Sequence, residues 1–499
     1  MSAPGSVRAD VVVVGAGPAG LMLAGELALG GAAVVVLEKR RAPTGESRAS
    51  TLHARTMEIL DSRGLLPDLG TPPRQPHGHF GGLPLDLTLP GPHPGQWKVA
   101  QAKTEAVLEE WALARGADIR CGHEVSAVTD TGDGVEAVAL GREGVLRLHA
   151  SYLVACDGED STVRRLAGAD FPGQDAGREL LRADVAGIEV PDRRFERLER
   201  GLAIAARRPD GVTRVMVHEF GSGTGRRTGP ASFEEIATVW KRVTGEDISG
   251  GTPLWVNSFG DASRQLTRYR HGRILFAGDA AHRQMPIGGQ ALNLGLQDAF
   301  NLGWKLALHV RGAAPHTLLD TYHSERHAAG RRVLANIRAQ ALMLLGGAEV
   351  EPLRTVFAGL TALPDVRTRL AGMISGLDVR YDTGGAAHPL AGLRLPHTVL
   401  LTGGRTVTTT GLLREGRGLL LDLHPAGQGR PHPAGPPCPV GWTDRVRTVS
   451  ASVPAGSAPA GTERGTERLL VRPDGHVAWA GTGTAGLPAA LEHWFGPPA

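Results

Sequence analysis

The hydrophobic pattern near the amino terminus predicts a strand, a helix and a second strand in close succession. Val11 to Val14 form an apolar run of the kind found in strands that are buried on both faces. A glycine-bearing turn and an apolar helical stretch follow, and residues 33–37 predict the next strand, which ends at Glu38. This order is typical of a doubly wound sheet.

Later segments repeat these signals. Alternation at Leu83, Leu85, Leu87 and Leu89 predicts a strand. Further elements are predicted as strands over residues 179–188, 201–206, 213–219, 273–277, 418–423, 468–472 and 476–480, and as helices over 104–114, 232–244 and from residue 291 onward.

Gly15, Gly17 and Gly20 match the dinucleotide-binding fingerprint in the strand–turn–helix context that it requires. Gly15 permits a tight turn, Gly17 lets the backbone approach a diphosphate, and Gly20 lets the helix pack closely on the strand. The diphosphate would lie at the helix N-terminus, where free amides favour anions. Glu38 would reach ribose hydroxyls and repel a 2′-phosphate, which favours FAD or NAD over NADP as the tightly bound nucleotide.

A second glycine-bearing segment lies far along the chain, from Phe276 to Asn293, and contains Gly278, Asp279 and Pro286. On these motifs the sequence resembles the class A flavoprotein monooxygenases, whose type member is para-hydroxybenzoate hydroxylase. The resemblance implies that Asp279 hydrogen-bonds the ribityl chain of FAD and that the loop from Pro286 passes the isoalloxazine ring. Backbone amides of that loop would stabilise negative charge on the reduced flavin.

A strand ending in Asp157 and Gly158 resembles the DG motif of the same family, which touches flavin and is linked to the pyridine nucleotide. The family usually has an arginine two residues after that glycine, whereas this chain has Asp160, with Arg164 and Arg165 farther on. The departure leaves the handling of NADPH open.

Two single residues complete the expected cofactor shell. By resemblance, Arg48 approaches the flavin from the loop side and Gln101 heads the helix over 104–114; a solvated arginine and a helix cap remain the alternatives. The predicted FAD-binding residues are Gly15, Gly17, Pro18, Ala19, Gly20, Glu38, Lys39, Arg48, Gln101, Val125, Asp157, Gly158, Gly278, Asp279, Pro286, Gly288, Gly289, Gln290, Ala291, Leu292 and Asn293.

Segments such as GESRAS, GADIRCGHEV and LLDTYHSERH make the sequence similar to hydroxylases of aromatic polyketide biosynthesis, especially the angucycline group. The fold class implied is α/β, with a Rossmann-like FAD-binding domain of the glutathione reductase type, an inserted, mainly β substrate domain and a C-terminal thioredoxin-like domain. The expected bounds are 1–76, 97–172 and 268–385 for the FAD-binding domain, 77–96 and 173–267 for the substrate domain, and 386–499 for the C-terminal domain. This last domain lacks a CxxC motif and would be structural, supporting a homodimer.

Charge and cysteine content exclude several classes of function. The 54 Lys and Arg residues nearly balance 51 Asp and Glu residues, and no basic block is interleaved with aromatics, so nucleic acid is not a predicted partner. Cys121, Cys156 and Cys438 form no CxxC, which excludes a redox-active disulfide and fits a reduced cytoplasm. His323 and His327 could mimic two metal ligands on one helix face, but no third ligand is evident and no metal site is predicted.

The amino terminus imitates a targeting signal. Arg8 and the mostly apolar residues up to Leu37 could be scored as a signal peptide or a membrane span. Asp10, Glu26 and the fingerprint glycines instead predict elements buried in the sheet of a cytoplasmic protein with no membrane partner.

Five residues are candidates for substrate contact, because the resemblance puts their segments near the pocket: His79, Phe80, Trp97, Met216 and His218. An apolar, aromatic-lined cavity would suit a flat polycyclic phenol or quinone. Ordinary strand packing is an equal alternative for Phe80 and Met216. No side chain is predicted to be a covalent catalyst, since the reduced flavin would activate oxygen.

The predicted function is FAD-dependent hydroxylation of a polycyclic, angucycline-type polyketide in antibiotic biosynthesis, with NADPH or NADH as transient reductant and O2 as oxidant. By resemblance, a flavin C4a-hydroperoxide would deliver the oxygen atom. The alternatives are a Baeyer–Villiger reaction on a related ketone, an FAD reductase like those that saturate isoprenoid chains, and a flavoprotein that sequesters an antibiotic. Asp160 and Ala291, as departures from the family pattern, keep the last alternative open.

Overall fold

The structure is a computed structural model that describes residues 6–42, 50–223, 229–384, 388–425, 438–454 and 467–499. The helices in these residues are α1 (Pro18–Leu29), α2 (Ala54–Ser62), α3 (Gln101–Ala114), α4 (Thr162–Leu166), α5 (Phe233–Thr244), α6 (Gln290–Val310), α7 (His316–Leu345), α8 (Glu351–Thr361), α9 (Pro364–Ser375) and α10 (Leu487–Phe495). The strands are β1 (Ser6–Val14), β2 (Val34–Glu38), β3 (Thr51–His53), β4 (Arg74–Gln75), β5 (His77–Phe80), β6 (Leu83–Asp86), β7 (Gln96–Lys98), β8 (Asp118–Cys121), β9 (Glu124–Asp130), β10 (Val135–Gly141), β11 (Gly144–Ala155), β12 (Gly173–Gln174), β13 (Glu179–Ala186), β14 (Arg193–Leu198), β15 (Gly201–Arg207), β16 (Thr213–Glu219), β17 (Thr252–Gly260), β18 (Ser263–Gln265), β19 (Arg270–His271), β20 (Ile274–Phe276), β21 (His282–Arg283), β22 (Val399–Thr402), β23 (Arg405–Thr408), β24 (Gly418–Pro425), β25 (Val446–Val453), β26 (Glu467–Val471) and β27 (Val477–Gly481).

A mixed sheet carries the amino-terminal fingerprint. Its central strands are parallel and run in the order β20, β11, β1, β2 and β8, so the valines of β1 are covered on both sides. Helix α1 packs between α3 and α6, and small residues allow this: a Cβ added to Gly25 would lie 2.1 Å from the Trp111 ring, and one added to Gly303 would lie 2.3 Å from the Cβ of Glu26. The α/β fold predicted from the sequence is confirmed.

An antiparallel sheet of the order β14, β15, β16, β13 and β17 stands beside this layer. Helix α5 covers one face and buries Trp240 completely. The other face buries Leu180 and Leu202 against Met285, Ile287 and Ile337. The sheet therefore covers the loop that leads into α6.

The carboxyl-terminal residues form a third sheet, in the order β23, β22, β25, β24, β26 and β27, with α10 packed against it. Strands β24 and β25 are parallel, while β26 and β27 are antiparallel to their neighbours. Trp304 of α6 and Leu318 of α7 share a core cluster with this sheet, and Arg472 at its edge pairs with Glu325 of α7. The third sheet is thus joined to the first layer by both apolar and ionic contacts.

Most predicted elements appear close to their expected positions, with one clear exception. Alternation predicted a strand through Leu89, but β6 ends at Asp86. The Asp86 carboxylate accepts a hydrogen bond from the Thr88 amide at 2.8 Å, and this local turn ends the strand although Leu87 remains buried. No helix in the described part of the chain has the length and apolar character needed to span a bilayer.

Candidate active site

The turn after β1 has three glycines with three different surroundings. Gly15 has a φ of +104°, and a Cβ there would lie 2.4 Å from the Cys156 carbonyl oxygen. A Cβ at Gly20 would lie 1.9 Å from the Gly15 carbonyl oxygen, whereas a Cβ at Gly17 would meet no protein atom within 4 Å. Open space therefore faces the N-terminus of α1 at Gly17, with Pro18 and Ala19 as its first residues, and this space fits the diphosphate of a dinucleotide.

Glu38 closes this turn from the neighbouring strand. Its carboxylate accepts hydrogen bonds from the Ala16 amide at 2.8 Å and the Arg40 amide at 2.9 Å. The half-buried carboxylate lies at the end of β2, the position expected for a ribose contact, while Lys39 next to it is exposed.

Gln101 and Val125 lie on elements that flank β2. Gln101 begins α3 and donates to Glu105 at 2.8 Å. Burial raises the pKa of Glu105, and the nearby Glu38 carboxylate adds to this effect. Val125 is buried on β9, just after His123, whose amide donates to the Glu38 carbonyl at 2.9 Å.

The two glycine-bearing segments meet in space. After β20 the chain forms a short 3-10 turn, Gly278–Ala280, in which Gly278 has a φ of +61°. A Cβ added to Gly278 would lie 3.2 Å from the Cβ of Ala19. Asp279 is exposed at this junction, so its side chain is accessible from the open space at the turn.

A buried carboxylate that the sequence analysis did not single out holds this turn. Asp298 of α6 is completely buried and accepts hydrogen bonds from the Gly278 amide at 3.1 Å, His282 Nε2 at 2.7 Å and Arg326 Nε at 2.7 Å. Burial alone would raise the pKa of Asp298, but Arg326 and His282 bring it below its usual value. The only sequence signal was a charged residue within the apolar helix.

The DG segment reaches the same turn. One oxygen of Asp157 accepts from the Val163 amide at 3.0 Å, and the other is buried with no hydrogen-bond partner in the described structure. Such an oxygen fits a donor group of a bound cofactor. Gly158 has a φ of +84°, and Arg164 donates to the Ala280 carbonyl at 3.0 Å, so this arginine bridges the two segments, while Asp160 is exposed.

The loop before α6 contains two consecutive left-handed glycines, Gly288 at +65° and Gly289 at +68°. Asn293 fixes this loop: its amide donates to the Gly289 carbonyl at 2.7 Å and to the Thr51 carbonyl at 3.0 Å. Its oxygen accepts from the His53 amide at 2.9 Å. The amides at the start of α6 are therefore oriented by contacts between residues about 240 positions apart in the sequence.

His53 supports the same loop through its ring. The ring lies 2.8 Å from the Gly288 carbonyl through Nε2, and burial lowers the pKa of His53 to about 4. The ring is therefore neutral at pH 7, and Nε2 must carry the proton that bonds the carbonyl. Among the other loop residues, Gln290 is buried, with Nε2 unpartnered in the described structure, Ala291 and Leu292 are half-buried in the first turn of α6, and Pro286 is exposed.

A cavity of about 380 Å³ opens beside this loop. It is lined by Thr51, Gln75, Gly78, His79, Leu87, Gln96, Lys98, Arg194, Phe195, Pro286, Gly288, Gly289 and Ile374. Six of these thirteen residues have polar or charged side chains and four are apolar, so the lining offers both hydrogen-bonding groups and apolar contact to a small molecule.

Of the five residues predicted to contact substrate, His79 alone is among the residues that line this cavity. Trp97 lies between Gln96 and Lys98 on β7, so alternation turns it to the opposite face. Phe80 is buried and stacks on Phe357 with ring centroids 4.9 Å apart. The contact with Phe357 therefore agrees with ordinary packing, the alternative given for Phe80.

Met216 and His218 lie on β16, outside the set of cavity-lining residues. Met216 packs against the cluster of Leu180 and Met285. Both ring nitrogens of His218 face backbone carbonyls, Nδ1 with that of Glu179 at 2.8 Å and Nε2 with that of Leu345 at 3.1 Å, and burial lowers its pKa. These contacts tie β16 to β13 and α7. Arg48, predicted to approach the flavin, lies outside the described residues.

The sequence missed the other cavity residues, above all Lys98, Arg194 and Phe195. Nothing in their spacing marked them, because they come together from β7 and β14 only in the folded chain. His79 accepts a hydrogen bond from the Gly82 amide at 3.2 Å, and burial, with Arg194 adding to it, lowers its pKa to about 4.

Comparison with known proteins agrees with this geometry. Residues 8–337 match the protein family described as FAD binding domain, and residues 388–498 match aromatic-ring hydroxylase, C-terminal. The 12-dehydrotetracycline 5-monooxygenase/anhydrotetracycline 6-monooxygenase of Streptomyces rimosus subsp. rimosus is 41% identical, covering 99% of this chain and 100% of that protein.

Two solved structures are more similar in sequence. CabE, an aromatic hydroxylase from angucycline biosynthesis, is 49% identical with a TM-score of 0.92, covering 99% of this chain and 100% of CabE. BexE, studied for oxidation during BE-7585A biosynthesis, is 52% identical with a TM-score of 0.90, covering 98% of this chain and 100% of BexE. With its FAD-binding and aromatic-ring hydroxylase regions, the chain belongs to the class A flavoprotein monooxygenases and is a flavin-dependent aromatic monooxygenase.

Proposed function

We propose that the enzyme hydroxylates a polycyclic aromatic polyketide of the angucycline type in antibiotic biosynthesis, with NADPH or NADH as reductant and O2 as oxidant. The observation that carries the proposal is the cavity of about 380 Å³ beside Gly288 and Gly289. Its size and mixed lining suit a flat, rigid ligand that carries a few oxygen atoms. The description of CabE as an angucycline hydroxylase supports the substrate type.

The residues that would hold FAD come from three segments. The open space at Gly17 would receive the diphosphate, Glu38 a ribose, and Asp279 the ribityl chain, while the unpartnered oxygen of Asp157 would accept a cofactor donor. Bound FAD supplies the two-electron reduction of O2, with one oxygen atom passing to the substrate. The balance is substrate C–H, NAD(P)H, a proton and O2 to substrate C–OH, NAD(P)+ and water.

The chain's own residues bind, orient and exclude water. Asn293 and His53 hold the Gly288–Gly289 loop, so the amides at the start of α6 keep one orientation and would stabilise negative charge on the reduced flavin. Phe195, Leu87 and Ile374 would take the apolar faces of the substrate and keep solvent away from the reacting carbon. No described side chain needs to form a covalent bond with the substrate.

The division into domains follows the same proposal. We infer that the sheet of β13 to β17, with residues 77–96, is an inserted substrate domain, and that residues 386–499 form a thioredoxin-like domain that supports a homodimer. The parallel pairing of β24 with β25, the antiparallel β26 and β27 and the helix α10 support the second assignment. The bounds and the cytoplasmic location remain predictions.

Labelled oxygen tests the reaction. The FAD-loaded enzyme is incubated with tetracyclic angucycline-type polyketides, NADPH and 18O2, and the products are analysed by mass spectrometry and NMR. We expect one labelled oxygen atom on an aromatic carbon of an intact ring system and faster turnover with one of the two nicotinamide nucleotides.

Each alternative gives a different product. A labelled lactone or a ring-opened acid would identify a Baeyer–Villiger reaction and contradict hydroxylation. Product formed equally well without oxygen would identify a reductase. Tight binding of the polyketide with no consumption of NADPH or NADH would identify a sequestering protein.

A further inference from the structure

Two cationic side chains face the active-site cavity without an acidic partner among the described residues. Lys98 comes from β7 and Arg194 from β14, and both line the cavity with His79. The described lining residues include no Asp or Glu. Lys98 Nζ donates to Thr51 Oγ1 at 2.8 Å, and Arg194 donates to the His77 carbonyl at 3.4 Å. Neutral acceptors of this kind do not compensate either positive charge, and no carboxylate in the described structure does so.

The electrostatic surroundings show that the two cations act on the same space. Burial lowers the pKa of Lys98, and Arg194 lowers it further. Burial is the largest cause of the low pKa of His79, and the charges of Arg194 and Lys98 lower it further. Lys98 is half-buried and Arg194 is exposed at the mouth of the cavity, so solvent screens part of their repulsion, and an anion bound between them would relieve the rest.

The backbone next to Arg194 is strained in a way that shapes this wall. Phe195 has a φ of +54°, the one positive φ among the described residues other than glycine. It lies at a bulge in β14, where the pairing with β15 shifts register between Arg193 and Glu196. The ring of Phe195 lies 4.1 Å from that of His79, centroid to centroid. Residues with this kind of backbone strain cluster at ligand-binding sites.

An aromatic surface beside two free cations is complementary to an aromatic ring that carries a negative oxygen. We infer that Lys98 and Arg194 form a subsite for an anionic oxygen, which the substrate supplies as an ionised phenol, while Phe195 and His79 contact the adjoining ring. This inference rests on the proposed function and narrows the substrate class to polycycles with an acidic phenol. Ionisation of the phenol would also raise the electron density of the ring that is hydroxylated.

A coloured probe tests the subsite without turnover. The full chain loaded with FAD is titrated with 2-hydroxyanthraquinone, whose absorption moves to longer wavelength when the phenol ionises, and with anthraquinone, which has no phenol. We expect the apparent pKa of the bound phenol to fall by about one unit relative to water, equivalent to tenfold tighter binding of the anion. Lys98→Met and Arg194→Gln should each abolish most of this shift and leave anthraquinone binding unchanged.

The controls remove a positive charge elsewhere. Lys103→Met on the exposed face of α3 and Arg200→Gln, also exposed, match the two changes in charge and should bind both probes as the parent does. Unchanged binding of anthraquinone also shows that the cavity variants are folded.

Three results would overturn the inference. The first is a bound phenol with the same pKa in parent and variants. The second is an equal loss of affinity for both anthraquinones, which would mean a packing role. The third is unchanged probe binding with a slower anaerobic reduction of FAD by NADPH or an altered flavin potential, which would assign the cations to nucleotide phosphate or to the flavin. None of these results depends on hydroxylation, so labelled product could still form while the subsite fails.

Discussion

Single residues of similar type have opposite roles in this enzyme, and their surroundings separate them. Gly17 has open space in front of it, whereas Gly20 touches the backbone of Gly15. Asp279 is exposed beside the cofactor-binding turn, whereas Asp298 is buried and holds that turn from behind. Substitutions at each pair should therefore separate ligand binding from folding.

Gly17→Val should abolish FAD binding and leave the fold of the apoprotein intact, because its side chain would enter only the space assigned to the diphosphate. Flavin absorbance per protein and the thermal midpoint of the apoprotein measure the two effects. Gly20→Val is the matched comparison, and its clash with the Gly15 carbonyl should lower the midpoint as well. Full FAD occupancy in Gly17→Val would refute the fingerprint assignment.

Asp279→Ala should weaken FAD retention with little change in the free energy of unfolding of the apoprotein. Asp298→Ala should lower that free energy by about 3–5 kcal/mol, because it leaves the buried Arg326 without its carboxylate. Urea denaturation of both apoproteins and flavin release on gel filtration distinguish them. An Asp279→Ala enzyme as yellow as the parent would contradict the ribityl contact.

At the scale of elements, hydrogen bonds between β3 and the start of α6 hold the active-site loop in place. Asn293 and His53 connect Thr51–His53 to the Gly288–Gly289 loop, although these segments are far apart in sequence. A local sequence pattern could predict α6 and its glycines, but not which strand its first turn would contact.

The contribution of His53 to the stability of the folded chain depends on pH. With a pKa near 4, His53 stays neutral in the folded chain while it takes up a proton near pH 6.5 in the unfolded chain. Through His53, the free energy of unfolding therefore keeps its full value above pH 6.5. It falls by up to about 3 kcal/mol as the pH drops toward 4. His53→Gln should flatten the decline in unfolding free energy over that window, measured by urea denaturation.

His149→Gln, at a half-exposed position on β11, is the matched control and should keep the decline of the parent. Two other histidines, the half-buried His79 and the buried His476, also have pKa values of about 4, so the parent should lose more stability than the His53 difference alone. An identical pH profile for His53→Gln and the parent would contradict the assignment.

The elements were predictable to different degrees for physical reasons. The strand over 213–219 and the helix over 232–244 were close to the observed β16 and α5, because each has an apolar face packed on one core. The fingerprint turn was predictable because the local backbone geometry requires glycine at its positions. The cavity was not, since Lys98, Arg194 and Phe195 are joined by long-range packing, and Phe80 turned toward Phe357 rather than the site.

At the scale of the whole molecule, a buried arginine ties the carboxyl-terminal sheet to the dinucleotide-binding layer. Arg63 after α2 donates to Glu26 of α1 at 2.9 Å, to the Leu413 carbonyl at 2.8 Å and to the Pro473 carbonyl at 3.1 Å. One buried guanidinium thus contacts the fingerprint helix and two loops of the last sheet. The two layers should unfold together.

Arg63→Met should lower the free energy of unfolding by about 3–5 kcal/mol, because Glu26 would remain buried without a cation. The double variant with Glu26→Met should recover part of this loss, since no charge is then stranded. Lys241→Met, which breaks the exposed pair with Asp247, should lower the free energy of unfolding far less, because solvent screens that pair. Equal effects of the buried and exposed changes would contradict the role of Arg63.

The central claim is that segments ending at Gly20, Gly158 and Asn293 hold one FAD that serves the monooxygenase reaction. The most direct measurement is the flavin content of the freshly purified full chain, from its visible spectrum and from the cofactor released by denaturation. The account predicts one FAD per chain, released as intact FAD. A colourless protein that takes up no added FAD would contradict it.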